Sequence, residues 1–181
     1  LIFRGVAFEF RFKTQRHRAI WSWSFHLGSL LATFSQGIIL GAFITGFEVV
    51  DRNYVGGMLD WLTPFTIATG LGMIAGYTLL GSTWIIVKTE GSLQAWAYRV
   101  ARWALFVVLG FIALVSIWTP LEHQDIAERW FSWPNIVYLS PVPILTGLVA
   151  LGIYVTLDRR REVLPFILSV GIFMLSYMGL A

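Results

Sequence analysis

The sequence contains no cysteine, which excludes disulfides, iron–sulfur clusters and thiolate-bound metal. Charge is scarce too, with 13 Lys and Arg and 10 Asp and Glu among 181 residues. No long apolar run carries a charged residue in its middle. A charge there costs about 2.5–3.5 kcal/mol on insertion scales and usually marks an ion or proton route, so the core of an ion-coupled transporter is not expected in these residues. Histidine is limited to His17, His26 and His123. There is no phosphate-binding glycine loop, no metalloprotease histidine pair and no nucleophile beside a base. On its own residues the chain shows no identifiable catalytic chemistry.

What is abundant is apolar surface. Hydrophobic residues make up 57% of the chain and aromatics 16%, and the mean hydropathy is +0.72, far outside the range of a soluble domain of this length. The expected fold class is all-α, a polytopic transmembrane helix bundle of about five spans with the last one truncated. A net charge of +3 is better explained by the sign pattern of the loops than by nucleic acid, and no nucleic-acid partner is expected. Leu1-Ile2-Phe3 stands directly before Arg4, and the chain stops inside the apolar run after Glu162. Residues 1–181 are therefore expected to form a single transmembrane domain, an internal fragment of a larger subunit.

The spans are expected at about 21–47, 62–88, 100–119, 141–157 and 163–181, each to be compared with the roughly 20 residues that cross a bilayer. In the first, His26, Ser29, Thr33 and Gln36 recur at helical spacing and make a polar stripe. Polar side chains inside a bilayer face protein or water, so the stripe is expected to be a buried helix contact. His26 has two readings, interhelical hydrogen bonding or a role as haem ligand or proton carrier. The second span ends in GYTLLGSTWIIVKTEG and closes an uncharged run from Trp61 to Val87. Gly72, Gly76 and Thr83 are expected on one face that admits a second helix closely. Tyr77, Gly81, Trp84 and Lys88 occupy the opposite sector, and Gly91 is free to take a left-handed cap conformation. The third span, apolar on all sides, is expected to end at Pro120. Pro141 and Pro143 start the fourth, where missing amides cost least.

Between spans, Phe8-Glu9-Phe10-Arg11-Phe12-Lys13 alternates with a period of two, read here as aromatics entering the membrane interface while charges stay wet. Ser92 to Arg102 reads as a short basic connection anchored by Trp96 and Tyr98. Residues 121–132 should form a short helix on the membrane surface, with Ile126, Ala127, Trp130 and Phe131 on one face and Glu122, Asp125, Glu128 and Arg129 on the other. His123 beside Glu122 and Asp125 is too weak a spacing to name a metal site. Residues 1–21, 88–102 and 158–162 together carry 11 Lys and Arg against four acids, whereas the other two loops carry Arg52 and Arg129 against six. By the positive-inside rule the first set is cytoplasmic and so is the residue 1 end.

Three strings, FRGVAFEFR, GYTLLGSTWIIVKTEG and RWFSWPN, the last followed by SPVPILTG, occur in an order that resembles the second subunit of cytochrome bd-type quinol oxidases. FRGVAFEFR would there follow a transmembrane helix ending at about Phe3. The resemblance implies a complex that oxidises membrane quinol and reduces dioxygen to water in a bacterial or archaeal cell membrane. It implies haem b and haem d held chiefly by a haem-bearing first subunit, with this chain as its helical partner in a heterodimer. Lipid, quinol and a small accessory subunit are further partners it allows. The family's acidic proton-handling motifs lie upstream of Leu1. No two of the three histidines can easily face each other across one haem, and Met58, Met73, Met174 and Met178 read as packing. The competing class is a transporter or permease, in which Gly70, Gly72, Gly76 and Gly81 would loosen the second span. A purely structural membrane scaffold would differ in lacking a redox partner.

Overall fold

A computed structural model describes residues 2–14, 18–46, 49–50, 53–122 and 124–178, and within these the placements of a few side chains are left aside. The chain runs α1 (Ile2–Lys13), α2 (Arg18–Thr45), a two-stranded ladder of β1 (Val49–Val50) and β2 (Asn53–Tyr54), then α3 (Pro64–Lys88) and α4 (Gly91–Glu122). It continues through α5 (Gln124–Phe131), α6 (Asn135–Leu139), α7 (Pro141–Asp158) and α8 (Val163–Met178). The antiparallel ladder pairs Val49 with Tyr54 and Val50 with Asn53. Four helical stretches, Arg18–Thr45, Pro64–Lys88, Gly91–Leu121 and Asn135–Asp158, are long and apolar enough to cross a membrane, and Val163–Tyr177 is a shorter apolar helix. The protein is a helical, multi-pass membrane bundle.

α3 is the hub, packing against α2, α4 and α8, while α7 closes the bundle against α8 and α4. Its start is set by local chemistry. Pro64 stands at the first helical position, the Thr63 hydroxyl accepts from Thr66 N at 3.2 Å, and the Thr66 hydroxyl accepts from Thr63 N at 2.9 Å. Two amides that would be orphaned at a helix N-terminus are thereby satisfied. Farther along, Leu79 and Ile86 enter a core with Ala97, Ala101, Leu105 and Val108 of α4, Ala150, Ile153 and Leu157 of α7, and Ile172 of α8. α4 is thus not uniform around its axis, because an alanine-rich face lies against α3 and lets the two backbones approach.

Four local readings of the sequence need correcting. The alternating segment does not follow a helix that ends near Phe3, since Ile2–Lys13 is one helix. Four-residue spacing explains it: Phe8 meets Phe12 edge-on at 5.2 Å, and Lys13 Nζ donates to Glu9 Oε1 at 2.7 Å. That ammonium holds the exposed Glu9 carboxyl below its ordinary range. Phe10 meanwhile stacks on Trp21 of α2 at 5.1 Å. Ser92 to Arg102 is not a connection but the first three turns of α4; Arg99 and Arg102 suggested a loop, but Ala97 and Ala101 pack fully buried against the core. Pro120 lies inside α4, which continues to Glu122, because in a last turn a missing amide removes only one bond. Gly91 is left-handed with φ 69°, yet it opens α4, and the cap of α3 is the extended Thr89.

The surface segment 121–132 holds the last turn of α4 and the short helix α5, where Phe131 and Glu128 are exposed and Trp130 is half-buried. The acidic loop residues Glu48, Asp51 and Arg52 lie outside the described residues, as do His17 and His123. Trp61, expected near the start of a span, sits in the loop and donates from its indole to Met58 O at 2.7 Å.

α2 meets α3 through glycine. A methyl group at Gly37 would lie 2.6 Å from Gly70 Cα, and one at Gly41 would stand 2.9 Å from Thr66 Cα and run into the Thr69 hydroxyl. Both obstacles are backbone or Cβ-branched groups that cannot swing away. Gly37→Ala is therefore expected to part the two helices and cost about 1–3 kcal/mol, seen as a lower unfolding temperature of the purified protein. An unchanged midpoint would show that the crossing is looser than this.

Candidate functional site

The residues expected to make contacts fall on two helices. On α3, Gly76 faces α8, where a methyl group would stand 2.7 Å from the end of the Phe173 ring. Two turns on, Thr83 Oγ1 and Ser169 Oγ of the same helix are 3.1 Å apart, and both side chains are buried. Gly72 turns toward α4 instead, and a methyl group placed on it would stand 3.3 Å from Phe111 Cβ. The three residues thus do not meet one helix. They line a ridge that α4 and α8 share, because four residues on an α-helix advance the direction by about 40°. Thr83 also donates within its own helix, reaching Leu79 O at 2.9 Å, so its hydroxyl has a partner even without Ser169.

The sector of Tyr77, Gly81, Trp84 and Lys88 is half open and also borders α8. Tyr77 and Trp84 are each about half exposed, and Lys88 Nζ lies 4.9 Å above the Trp84 ring. Trp84 also tilts against Phe166 at 5.0 Å and Tyr77 against Phe173 at 5.8 Å. Nothing lies within 4 Å of a methyl position at Gly81.

On α2 the polar stripe is not buried within this chain. His26 and Gln36 are exposed, and Ser29 and Thr33 are half-buried. Ser29 donates to Phe25 O at 2.8 Å, and His26 Nδ1 rests on Ser22 O, so both side chains lean back on their own helix. The buried face of α2 is Gly37, Ile38, Gly41 and Ala42, where the two glycines admit α3. Gln36 instead edges a groove of about 380 Å³ between α2, α3 and α8, with Ile39, Leu40, Phe43, Met73, Tyr77 and Tyr177.

Two hydroxyl contacts escape a reading of the sequence. Thr69 donates either to Gly37 O across the helix pair, 2.9 Å away, or to Thr66 O at 2.8 Å. Ser169 completes the Thr83 pair. Their only signal is a hydroxyl inside an apolar run, which most such residues share.

His26 is the one described histidine, and it stands alone on an exposed face. Met58 and Met174 are strongly exposed, and Met73 lines the apolar groove. Among the described residues no three His, Asp or Glu side chains group together.

The sequence model of a family described as cytochrome bd terminal oxidase subunit II matches residues 1–181. The chain is similar to cytochrome bd-I ubiquinol oxidase subunit 2 of Escherichia coli (strain K12), with 25% identity over 183 residues, covering 87% of this chain and 48% of that protein. It is also similar to cytochrome bd ubiquinol oxidase subunit 2 of Bacillus subtilis (strain 168), with 30% identity over 119 residues, covering 64% and 35%. It thus spans about half the length, or less, of these relatives.

The α3–α8 ridge is open to a direct test. Gly76→Leu is expected to displace Phe173 and lower the yield of folded protein, and Phe173→Ala in the same chain should restore part of it. A double-mutant cycle of Thr83→Val and Ser169→Ala should give a coupling of about 0.6 kcal/mol. Additive effects in both pairs would mean that α8 does not pack here.

Proposed function

The chain belongs to the cytochrome bd terminal oxidase subunit II family, and on that premise we propose that it acts as the helical partner of a haem-bearing first subunit in a membrane quinol oxidase. The complex would oxidise quinol and reduce dioxygen to water, with haem b and haem d held chiefly by the first subunit. The observation that carries this reading is the family match over the whole of residues 1–181. The isolated position of His26 agrees with a chain that supports haem sites without ligating them. A transporter reading needs a second span loosened by its glycines. It is not favoured, because α3 runs as one helix from Pro64 to Lys88 through Gly70, Gly72, Gly76 and Gly81.

We assign the residue 1 end, the α3–α4 turn and the α7–α8 turn to the cytoplasmic side of a bacterial or archaeal cell membrane, on the charge count of the loops. The short helix α5 then lies on the outer surface, as its alternation of apolar and charged residues suits. We also assign the partner subunit to the α2 stripe of His26, Ser29, Thr33 and Gln36. Polar groups at bilayer depth are covered by protein or water, and within this chain His26 and Gln36 are exposed and Ser29 and Thr33 only half-buried.

The test uses the full-length subunit expressed with its neighbouring subunit in bacterial membranes and a reduced-minus-oxidised optical spectrum of the copurified complex. Haem b and haem d bands with quinol-dependent oxygen uptake are expected, and a colourless complex that stays intact would overturn the proposal. His26→Ala should leave the haem spectrum unchanged, and loss of a band would make His26 a ligand. Ser29→Leu with Gln36→Leu should reduce copurified first subunit about threefold for each interhelical hydrogen bond lost.

A further inference from the structure

The seam between α4 and α7 combines features that no part of the oxidase reading uses. On α4, Arg99, Arg102, Trp103, Phe106 and Gly110 fall at i, i+3, i+4, i+7 and i+11, one face of the helix. On α7, Gly147, Leu151, Tyr154 and Asp158 share a face by the same spacing. The two stripes run antiparallel and meet in register: Phe106 and Tyr154 rings are 6.0 Å apart, and Arg102 Nη2 stands 3.6 Å from Asp158 Oδ1. Eight residues, about 12 Å of rise, separate Arg102 from Gly110. Nothing lies within 4 Å of a methyl position at either Gly110 or Gly147. The seam therefore has a charged mouth, an aromatic waist and, beyond it, open space at two glycine positions flanking Leu151.

The mouth is built with some precision. At the end of α7, Arg160 takes a left-handed conformation at φ 49°, and Arg161 N donates to Thr156 O at 2.9 Å while Arg160 N donates to Leu157 O at 3.2 Å. This is the glycine-type helix cap made by an arginine. Tyr98 of α4 pins it, donating from its hydroxyl to Arg161 O at 3.1 Å, with the Arg160 guanidinium 6.0 Å from the Tyr98 ring. Stacking on a ring uses none of the guanidinium donors, so they remain free for an anion. Arg102 pairs with Asp158, both well exposed, with Arg99 one turn before Arg102 and Arg160 two residues after Asp158, while Glu162, reached by Gln94, adds a second carboxylate at this end. Trp103 beside them is 74% exposed, as an interfacial anchor would be.

We propose that this seam binds an anionic phospholipid, with the phosphodiester on Arg99 and Arg160 and an acyl chain lying past Phe106 and Tyr154 toward Gly110 and Gly147. An excess of positive charge at the headgroup level selects an anionic head, and a groove of aromatic and absent side chains accepts a flexible chain. The general excess of basic residues on this side of the membrane would attract anionic lipid anywhere. A built site differs in that its affinity depends on these two arginines and is limited by Asp158.

The experiment takes the purified complex of the full-length subunit with its copurifying partner and titrates it, by native mass spectrometry, with phosphatidylglycerol or with phosphatidylcholine of the same acyl chains. Wild-type complex should hold phosphatidylglycerol more tightly. Arg99→Gln with Arg160→Asn should weaken that binding about 30-fold, from about one factor of five for each basic residue at the surface, and leave phosphatidylcholine unaffected. Asp158→Asn, which frees Arg102, should strengthen it. The proposal is overturned if Arg11→Gln with Arg18→Gln weakens binding equally, if both lipids bind alike, or if inorganic phosphate at the same concentration displaces the lipid. It is also overturned if the double variant loses the partner subunit, since the seam is then a protein interface. Should that variant fail to fold, the direction of the Asp158→Asn change decides alone.

Discussion

Helices in lipid gain nothing from hiding apolar surface from one another, so a helix that must touch three neighbours can do so only by letting backbones come close. α3 is under that constraint, and the rest of the bundle follows from how it is met. Toward α2 the close approach is made by Gly37 and Gly41 against Gly70 and Thr66; toward α8 it is Gly76 under Phe173. Toward α4 the small residues are on the other helix, as Ala97, Ala101 and Ala104. Gly37 meets Gly70 with a side chain absent on both helices, whereas at the other contacts a larger residue of the partner fills the space. Phe34 over Gly70 and Phe173 over Gly76 are the two clearest cases. The hydroxyls that these faces bury each reach a carbonyl of their own helix: Thr69 to Thr66, Ser82 and Thr83 to Leu79. Burial in a bilayer therefore leaves none of these donors unpaired, and the cross-helix partners Gly37 O and Ser169 are additional.

The same constraint explains what can be read from the sequence. Helix class follows from long uncharged runs, and the importance of Gly76 and Thr83 follows from small residues at helical spacing. Which neighbour each meets does not follow, because a 40° advance between Gly72 and Gly76, about that of four helical residues, is enough to change the partner from α4 to α8. The start of α4 is hidden since Arg99 and Arg102 signal an exit from the membrane, whereas a helix can leave the bilayer and remain a helix. The left-handed cap at Arg160 has no glycine to announce it, and the hydroxyl of Tyr98, far earlier in the chain on α4, helps hold it. The α2 stripe is legible as polar but is only partly covered by this chain's own helices, and spacing alone does not say how much of a face a neighbour covers.

The two ends of the bundle are fastened differently. At the basic end, Gln94 donates to Ile86 O at 3.1 Å and reaches Glu162 at 3.4 Å. With the Tyr98 bond and the Arg102–Asp158 pair, this ties the α3–α4 turn to the α7–α8 turn. At the other end, Thr63 and Thr66 fasten α3 to its own preceding loop. Among the described residues, four helices are thus cross-linked by polar groups at one end only, where water is available to complete the remaining bonds.

The exposed surfaces then differ in what they can tolerate. α2 packs against α1 and α3, whereas α7 packs against α8 and α4, so α3 separates the two outer faces. The α2 face carries Ser29, Thr33 and Gln36 along a helix of membrane-spanning length, and hydrocarbon would leave their remaining hydrogen-bonding capacity unmet. The α4–α7 face is apolar for its whole depth and gathers its charge at one end, which is the profile of a lipid molecule. A polar surface at bilayer depth demands protein, and an apolar one with a cationic rim is satisfied by lipid. On the proposed assignments the bundle would turn α2 inward to the complex and the α4–α7 seam outward to the bilayer. Turning it the other way would bury arginines against a partner while exposing amides and hydroxyls to acyl chains, a loss on both sides.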